Sequence, residues 1–150
     1  MPETPGFELG TDGPTAILVG VDDSVTSHRA LSYAVGLARR QRARLVVIYV
    51  TGAPSIGATA PGVLAAEMEA QDEVARGLRT LVEQVAEELG VSAAFVTAYG
   101  DPYTEIKRVA GDTRADAIVV GASAQAGHRL IGSIAVRLVR AGRWPVTVVP

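Results

Sequence analysis

The sequence contains no cysteine, so neither a disulfide nor a thiolate metal site is available to this chain. Aromatic residues make up only 5% of the 150 residues, and no basic run is interleaved with them. The 14 basic and 16 acidic residues give a formal net charge of −2, which does not support binding of nucleic acid. No apolar run approaches the roughly 20 residues that a membrane-spanning helix needs, so we expect no membrane segment.

Residues 1–15 are polar and rich in glycine and proline, and we expect them to form a flexible amino-terminal arm. They have neither the charged region nor the apolar core of a signal peptide, which predicts a cytoplasmic location. Residues 16–150 have the length of a single domain, and 48% of the whole chain is hydrophobic. This composition is sufficient for a core without covalent links.

Five apolar runs alternate along the chain with segments of helical periodicity. The runs show no internal alternation of apolar and polar residues, which is typical of strands covered on both faces. We predict strands over residues 16–21, 45–50, 93–98, 115–121 and 145–149, and helices ending near 40, 89, 111 and 141. Right-handed crossovers turn such an alternation into an α/β fold with a doubly wound, five-stranded parallel sheet and helices on both faces.

Two of the predicted strands end in residues that suit a binding site. Gly20 and Asp22 stand at the end of the first strand, and Gly121 ends the fourth. A loop of small residues then leads to Gly132 and Ser133 at a helix start, where backbone amides can hold phosphate oxygens. Ligands of doubly wound sheets bind at such carboxyl ends, so the two strands form one crevice if they are neighbours.

Each of these residues also has a purely structural interpretation. Gly20 and Gly121 either end their strands or admit a ligand. Asp22 and Ser24 either cap the first helix or contact a ligand, and the two roles are compatible. Ser133 is predicted to be the N-cap of the last helix whatever the function.

Two common nucleotide-binding motifs are absent. No G-x-G-x-x-G follows the first strand, which disfavours a nicotinamide or flavin dinucleotide. Residues 127–133 have the glycine spacing of a P-loop, but no lysine precedes Ser133. The cation that a P-loop places at the β- and γ-phosphates is therefore missing.

Four separated segments form a recognisable pattern: residues 17–24, residues 115–121, Gly132-Ser133 with the helix that follows, and residues 144–149. Together they resemble the universal stress protein family, and the similarity covers roughly residues 16–149. The resemblance implies a universal stress protein domain over residues 16–150 with the flavodoxin-like, HUP-type topology. In that topology the strand order is 3-2-1-4-5, which places the first and fourth strands side by side.

The resemblance also implies an adenine-nucleotide site. ATP-binding members carry Gly-x2-Gly-x9-Gly-Ser/Thr after strand four, and Gly121 and Gly132-Ser133 match its first and last positions. Asp22 falls where the family's aspartate approaches the adenosine, and Val50 and Val120 fall at strand ends that flank the base. The predicted nucleotide-binding residues are Gly20, Val21, Asp22, Val50, Val120, Gly121, Gly127, Gly132, Ser133 and Ile134.

The glycine motif departs from the family pattern in two ways. Ala124 stands where the second glycine belongs, and the loop between it and Gly132 is two residues short. A Cβ at that position obstructs a close approach of the backbone to phosphate. Gly127 is the candidate replacement, while His128 and Arg129 either add positive charge or are solvated loop residues. Some family members that lack the glycines do not bind ATP.

The leading interpretation is a stress-response regulatory module that binds ATP or a related adenine nucleotide. Mg²⁺ is expected only with the nucleotide, because Asp22 and Asp23 are the only carboxylates placed to hold it. The alternative is a dimer that binds no cofactor and acts through protein partners. A third interpretation is a weak ATP-hydrolysing enzyme, but His28 and His128 lack metal-ligand spacing and no catalytic residue can be assigned.

The last strand is apolar and is expected to form an edge of the sheet with unpaired backbone groups. The resemblance implies that it pairs antiparallel with its twin across a two-fold axis. Val146, Val148 and nearby Leu138 are expected to offer apolar surface to the partner. We therefore predict a homodimer through residues 145–149.

Overall fold

The structure, a computed structural model, describes residues 13–52, 60–123 and 131–150. Strands and helices alternate in the predicted order. They are β1 (Ala16–Val21), α1 (Val25–Gln41), β2 (Arg44–Thr51), α2 (Pro61–Leu89), β3 (Ala93–Tyr99), α3 (Pro102–Asp112), β4 (Ala117–Gly121), α4 (Ser133–Ala141) and β5 (Val146–Val149). The predicted bounds agree with these to within about three residues.

The five strands form one parallel sheet in the order β3-β2-β1-β4-β5. This confirms the predicted doubly wound topology. The chain winds outwards from β1 through β2 to β3, and then crosses back to the other side of β1 for β4 and β5. The reversal between β1 and β4 is the switch point at which such sheets bind ligands.

Both faces of the sheet are covered, which explains why the strand sequences lack alternation. Ile17 and Val19 of β1 point to one face and pack with α1 and α2, whereas Leu18 points to the other face and packs with α3 and α4. All three side chains are fully buried. Every position of the central strand therefore has to be apolar.

The helix starts show which capping predictions hold. Ser24 is the N-cap of α1, and its side chain accepts a hydrogen bond from the amide of Ser27, as expected. The prediction for α4 is wrong, because Gly132 is the N-cap and Ser133 is the first helical residue. The carbonyl of Gly132 accepts the first helical hydrogen bond, from the amide of Val136 at 3.1 Å. The hydroxyl of Ser133 lies too far along the helix to cap it.

The carboxylate of Asp116 ties the beginning of β1 to the segment before β4. Its Oδ2 atom accepts hydrogen bonds from the amide and hydroxyl of Thr15, at 2.9 and 2.8 Å, and from the amide of Ala16 at 3.0 Å. Thr15, which the sequence assigned to the arm, is thus attached to the domain. Residues 1–12 lie outside the described residues, and their flexibility stays a prediction.

Helix α2 is 29 residues long, and only Leu78 and Val82 of it are buried. These two residues lie in its second half, and the first half of the helix is largely exposed. In the part of the chain that the structure describes, no helix, including α2, combines the length and apolar character needed to cross a membrane.

Candidate functional site at the switch point

A cleft of about 220 Å³ lies at the carboxyl ends of β1, β2 and β4. Nine of the ten predicted binding residues line it: Gly20, Val21, Asp22, Val50, Val120, Gly121, Gly132, Ser133 and Ile134. The tenth, Gly127, lies outside the described residues, as do Ala124, His128 and Arg129. The structure thus brings the nine residues together, and their role in binding stays a prediction.

Further residues line the same cleft that the sequence did not indicate. They are Thr26, Ser27, Ile48, Pro102, Ile106, Ala122, Ser123 and Ala135. Ser24, which the sequence offered as a cap or a ligand contact, lines the cleft as well. Pro102 and Ile106 belong to α3, which reaches the cleft only because it packs across the sheet above β2. No motif marks these two residues, since the packing of a helix across a sheet is not a local property of its sequence.

One wall of the cleft is apolar. Ile106 is 4% exposed, and Val120 is 6% exposed. They are joined at the cleft by Ile48 and Val50 from β2. Gly20 allows Ile106 to pack closely against β1, because a Cβ built on the glycine would lie 3.3 Å from Cδ1 of Ile106. An apolar surface of this kind suits one face of a planar ring.

A second part of the lining carries the carboxylate of Asp22. The amide of Ser24 donates to its Oδ1 atom at 3.0 Å, and the amide of Asp22 itself donates to the hydroxyl of Ser27 at 3.3 Å. Partial burial raises the pKa of the Asp22 carboxyl, but hydrogen bonds from Ser24 and Ser27 outweigh it and hold the pKa below its ordinary value of 3.8. Asp22 is therefore ionised at neutral pH and can accept hydrogen bonds from ligand hydroxyls.

Asp23 does not share this position. Its backbone has a φ of 67°, and its carboxylate lies 2.8 Å from Nε2 of His28, away from the cleft lining. Of the two carboxylates, only Asp22 lines the cleft, and the expectation that Mg²⁺ binds only with a nucleotide stays a prediction. The described residues hold no group of three or more potential metal ligands.

Gly121 has a structural role that is independent of any ligand. A Cβ on it would lie 2.6 Å from the carbonyl carbon of Thr26 and 2.8 Å from the amide nitrogen of Ser27. The end of β4 therefore touches the backbone of the first turn of α1. The hydroxyl of Thr26 donates to the carbonyl of Ala122 at 2.6 Å and fixes this contact. The glycine is needed for packing, so by itself it does not indicate phosphate binding.

The third side of the cleft is the amino end of α4. The described structure shows no side-chain hydrogen bond capping this helix, whose first residues Ser133, Ile134 and Ala135 line the cleft. Amides in the first turn of a helix have no partner within the helix and attract anions. The described part of the lining contains no Lys, Arg or His, so these amides are its main positive feature.

A sequence model of the universal stress protein family matches residues 15–150. The chain belongs to the universal stress protein family. It is 32% identical over 136 residues to a universal stress protein of Methanocaldococcus jannaschii, covering 89% of this chain and 80% of that protein. It is also similar to the crystal structure of a family member from Burkholderia pseudomallei, with a TM-score of 0.74 and 30% identity over 91% of this chain and 96% of the other.

Two more distant solved structures contain nucleotides. One is a universal stress protein in complex with cAMP, which is 23% identical to this chain with a TM-score of 0.68, over 91% of this chain and 97% of the other. The second is the universal stress protein of Archaeoglobus fulgidus in complex with dAMP, at 22% identity and a TM-score of 0.61, over 91% of this chain and 98% of the other. At these identities the likeness establishes the shared fold.

Proposed function

We propose that this universal stress protein is a stress-response regulatory module that binds an adenine nucleotide in the switch-point cleft. The observation that carries the proposal is the convergence of three chemically different features: an apolar surface, an ionised carboxylate and the amino end of α4, which has no side-chain cap. Adenine, ribose and phosphate are the three parts of one ligand that match them. The complexes of distant relatives with cAMP and dAMP support the same assignment.

In the proposed pose, the adenine ring lies against Val50, Val120 and Ile106, which form the apolar wall. The ribose hydroxyls donate hydrogen bonds to the carboxylate of Asp22. The phosphate adjacent to the ribose accepts hydrogen bonds from the first amides of α4, near Ser133. The described lining contains no positively charged side chain that could neutralise a polyphosphate. Mg²⁺ would therefore enter the cleft only together with a polyphosphate.

The first prediction concerns the carboxylate. Asp22→Ala should weaken binding of AMP, cAMP or ATP about tenfold or more, because hydrogen bonds to a charged group contribute roughly 1.5–3 kcal/mol each. Isothermal titration calorimetry of the wild type and the variant measures the difference. Glu87→Ala on the exposed end of α2 removes the same charge far from the cleft and should leave the affinity unchanged.

A second variant examines the phosphate side. Gly132→Val should also weaken binding, because a Cβ there would lie 3.3 Å from Cβ of Ser123 at the mouth of the cleft. If no adenine nucleotide binds to the wild type at several millimolar, the proposed function is wrong. A result in which Asp22→Ala and Glu87→Ala bind equally well would remove Asp22 from the site.

We further propose that the protein forms a homodimer through β5. This strand pairs with β4 on one side, and the described structure places no strand on its other side. The carbonyls of Pro145 and Val149 accept hydrogen bonds from the amides of Ile118 in β4 and of Ala122 directly after it. Since successive residues of a strand alternate, the backbone groups of Val146 and Val148 face the open edge.

The expected contribution of Leu138 to this interface is wrong. Leu138 is fully buried within the monomer, where it packs with α3 and the sheet. Val146 and Val148 are half-buried in the monomer and remain partly available to a partner. The open backbone edge, rather than the side of α4 that carries Leu138, supports pairing with a second copy.

The dimer prediction can be tested at the open edge. Val148→Pro removes an outward amide that a twin strand would need, and leaves the hydrogen bonds to β4 in place. Multi-angle light scattering should show a dimer for the wild type and a monomer for Val148→Pro at micromolar concentration. Val148→Ala removes the same side chain but keeps the amide, and should remain a dimer. A monomeric wild type, or a dimeric Val148→Pro, would contradict the proposal.

A further inference from the structure

A second cleft lies at the β3 edge of the sheet, between α2 and the carboxyl half of β3. Its volume is about 370 Å³, and it shares no lining residue with the switch-point cleft. The lining residues are Thr51, Asp72, Ala75, Arg76, Arg79, Thr97, Ala98 and Tyr99. The proposed nucleotide site does not account for this cleft.

Two arginines dominate its charge. Arg76 and Arg79 are three residues apart on α2, so both side chains lie on the same face of the helix. The guanidinium of Arg79 lies 4.9 Å from the centroid of the Phe95 ring, which holds it in place over β3. Across the described ranges, neither arginine forms an ion pair with an acidic side chain. Asp72 is the one carboxylate in the lining, so the cleft has an excess of positive charge.

Strand β3 adds neutral hydrogen-bonding groups opposite the arginines. Thr97 and Tyr99 point to the same side of the strand, since they are two residues apart. Tyr99 is 68% exposed, and its ring is therefore free to contact a ligand. The hydroxyl of Thr51 already donates to the carbonyl of Ala98 at 3.3 Å, and can still accept a hydrogen bond. Ala75 is small and leaves room between the helix and the strand.

We propose that this second cleft binds the phosphate group of a small phosphorylated molecule. Two planar guanidinium groups together with the hydroxyls of Thr97 and Tyr99 offer more donors than the two oxygens of a carboxylate can accept. Arginine forks match the oxygens of a phosphate in pairs. The volume of the cleft exceeds that of a single anion, and the exposed ring of Tyr99 is placed to contact the organic part of such a ligand.

The test follows backbone amide signals by NMR in a phosphate-free buffer, with glucose 6-phosphate, inorganic phosphate and glucose as separate probes. Glucose 6-phosphate should shift the amides of residues 97–99 and of α2 near Arg76 in a saturable way. Inorganic phosphate should do so more weakly, and glucose should have no effect. The double variant Arg76→Gln/Arg79→Gln should weaken the phosphoester response about a hundredfold, because charge-assisted contacts from two side chains are lost.

The matched control is Arg39→Gln/Arg40→Gln, which removes the same charge from the exposed end of α1. It should respond to glucose 6-phosphate as the wild type does. The proposal is overturned if the phosphoester causes no saturable shift at residues 97–99, or if both double variants lose the response equally. If inorganic phosphate causes the shifts and glucose 6-phosphate does not, the cleft binds an adventitious ion only, and the proposal is also overturned.

Discussion

Gly121→Ala is expected to lower the free energy of unfolding by about 3 kcal/mol, at the upper end of the usual effect of inserting one carbon into a packed region. The added Cβ would lie 2.6 Å from the carbonyl carbon of Thr26 and 2.7 Å from its oxygen. These are backbone atoms of the first turn of α1, which cannot rotate away as a side chain can. Denaturant unfolding followed by circular dichroism measures the change.

Gly36→Ala is the matched control for this substitution. Gly36 lies within α1, and a Cβ on it would meet no atom within 4 Å. Alanine has the higher helix propensity, so this variant should be more stable than the wild type by about 0.5–1 kcal/mol. If Gly121→Ala proves as stable as the wild type, the close contact between β4 and α1 is wrong. The glycine would then have to be explained by ligand binding alone.

Leu138→Ala is expected to lower the free energy of unfolding by about 2–5 kcal/mol, the usual range when a buried leucine leaves a cavity. Leu138 is 0% exposed within the monomer. The adjacent residue on α4, Val139, is 56% exposed, so Val139→Ala should change stability by no more than about 0.5 kcal/mol. Comparing the free energies of unfolding of the two variants shows the effect of burial at neighbouring positions of one helix.

The dependence of this stability loss on protein concentration distinguishes a core residue from an interface residue. If Leu138 stabilises the monomer, the loss measured for Leu138→Ala should be the same at low and high protein concentration. A residue at a subunit interface would instead contribute in proportion to dimer formation, so its effect would grow with concentration. Equal stabilities of Leu138→Ala and the wild type would contradict the burial of this side chain.

Much of the fold could be predicted because the deciding signals are local. The uninterrupted apolar run of β1 predicted a strand covered on both faces, and Ile17 and Leu18 do contact opposite layers. The start of α3 is equally local, because Asp101 is its N-cap and accepts a hydrogen bond from the amide of Thr104, while Pro102 stands at the first helical position. These patterns depend on residues that are a few positions apart.

The site was predicted only in part, because local patterns mark some of its residues and not others. Nine of its residues stand at strand ends or at a helix start, and these positions converge in any sheet of this topology. Ile106 was missed because it enters the cleft from a helix that packs across the sheet. The predicted cap at Ser133 was wrong by one residue, since either Gly132 or Ser133 can begin α4 as far as its sequence is concerned.

By itself, the sequence determined the succession of strands and helices, their lengths, and the resemblance from which the strand order follows. Only the tertiary structure decided the role of individual residues within these strands and helices. It showed that Gly121 is a packing glycine, that Leu138 belongs to the core, and that Arg76 and Arg79 face Tyr99 across a cleft. The physical reason is that these roles depend on contacts between residues about 20 to 95 positions apart, which no local pattern of side chains encodes.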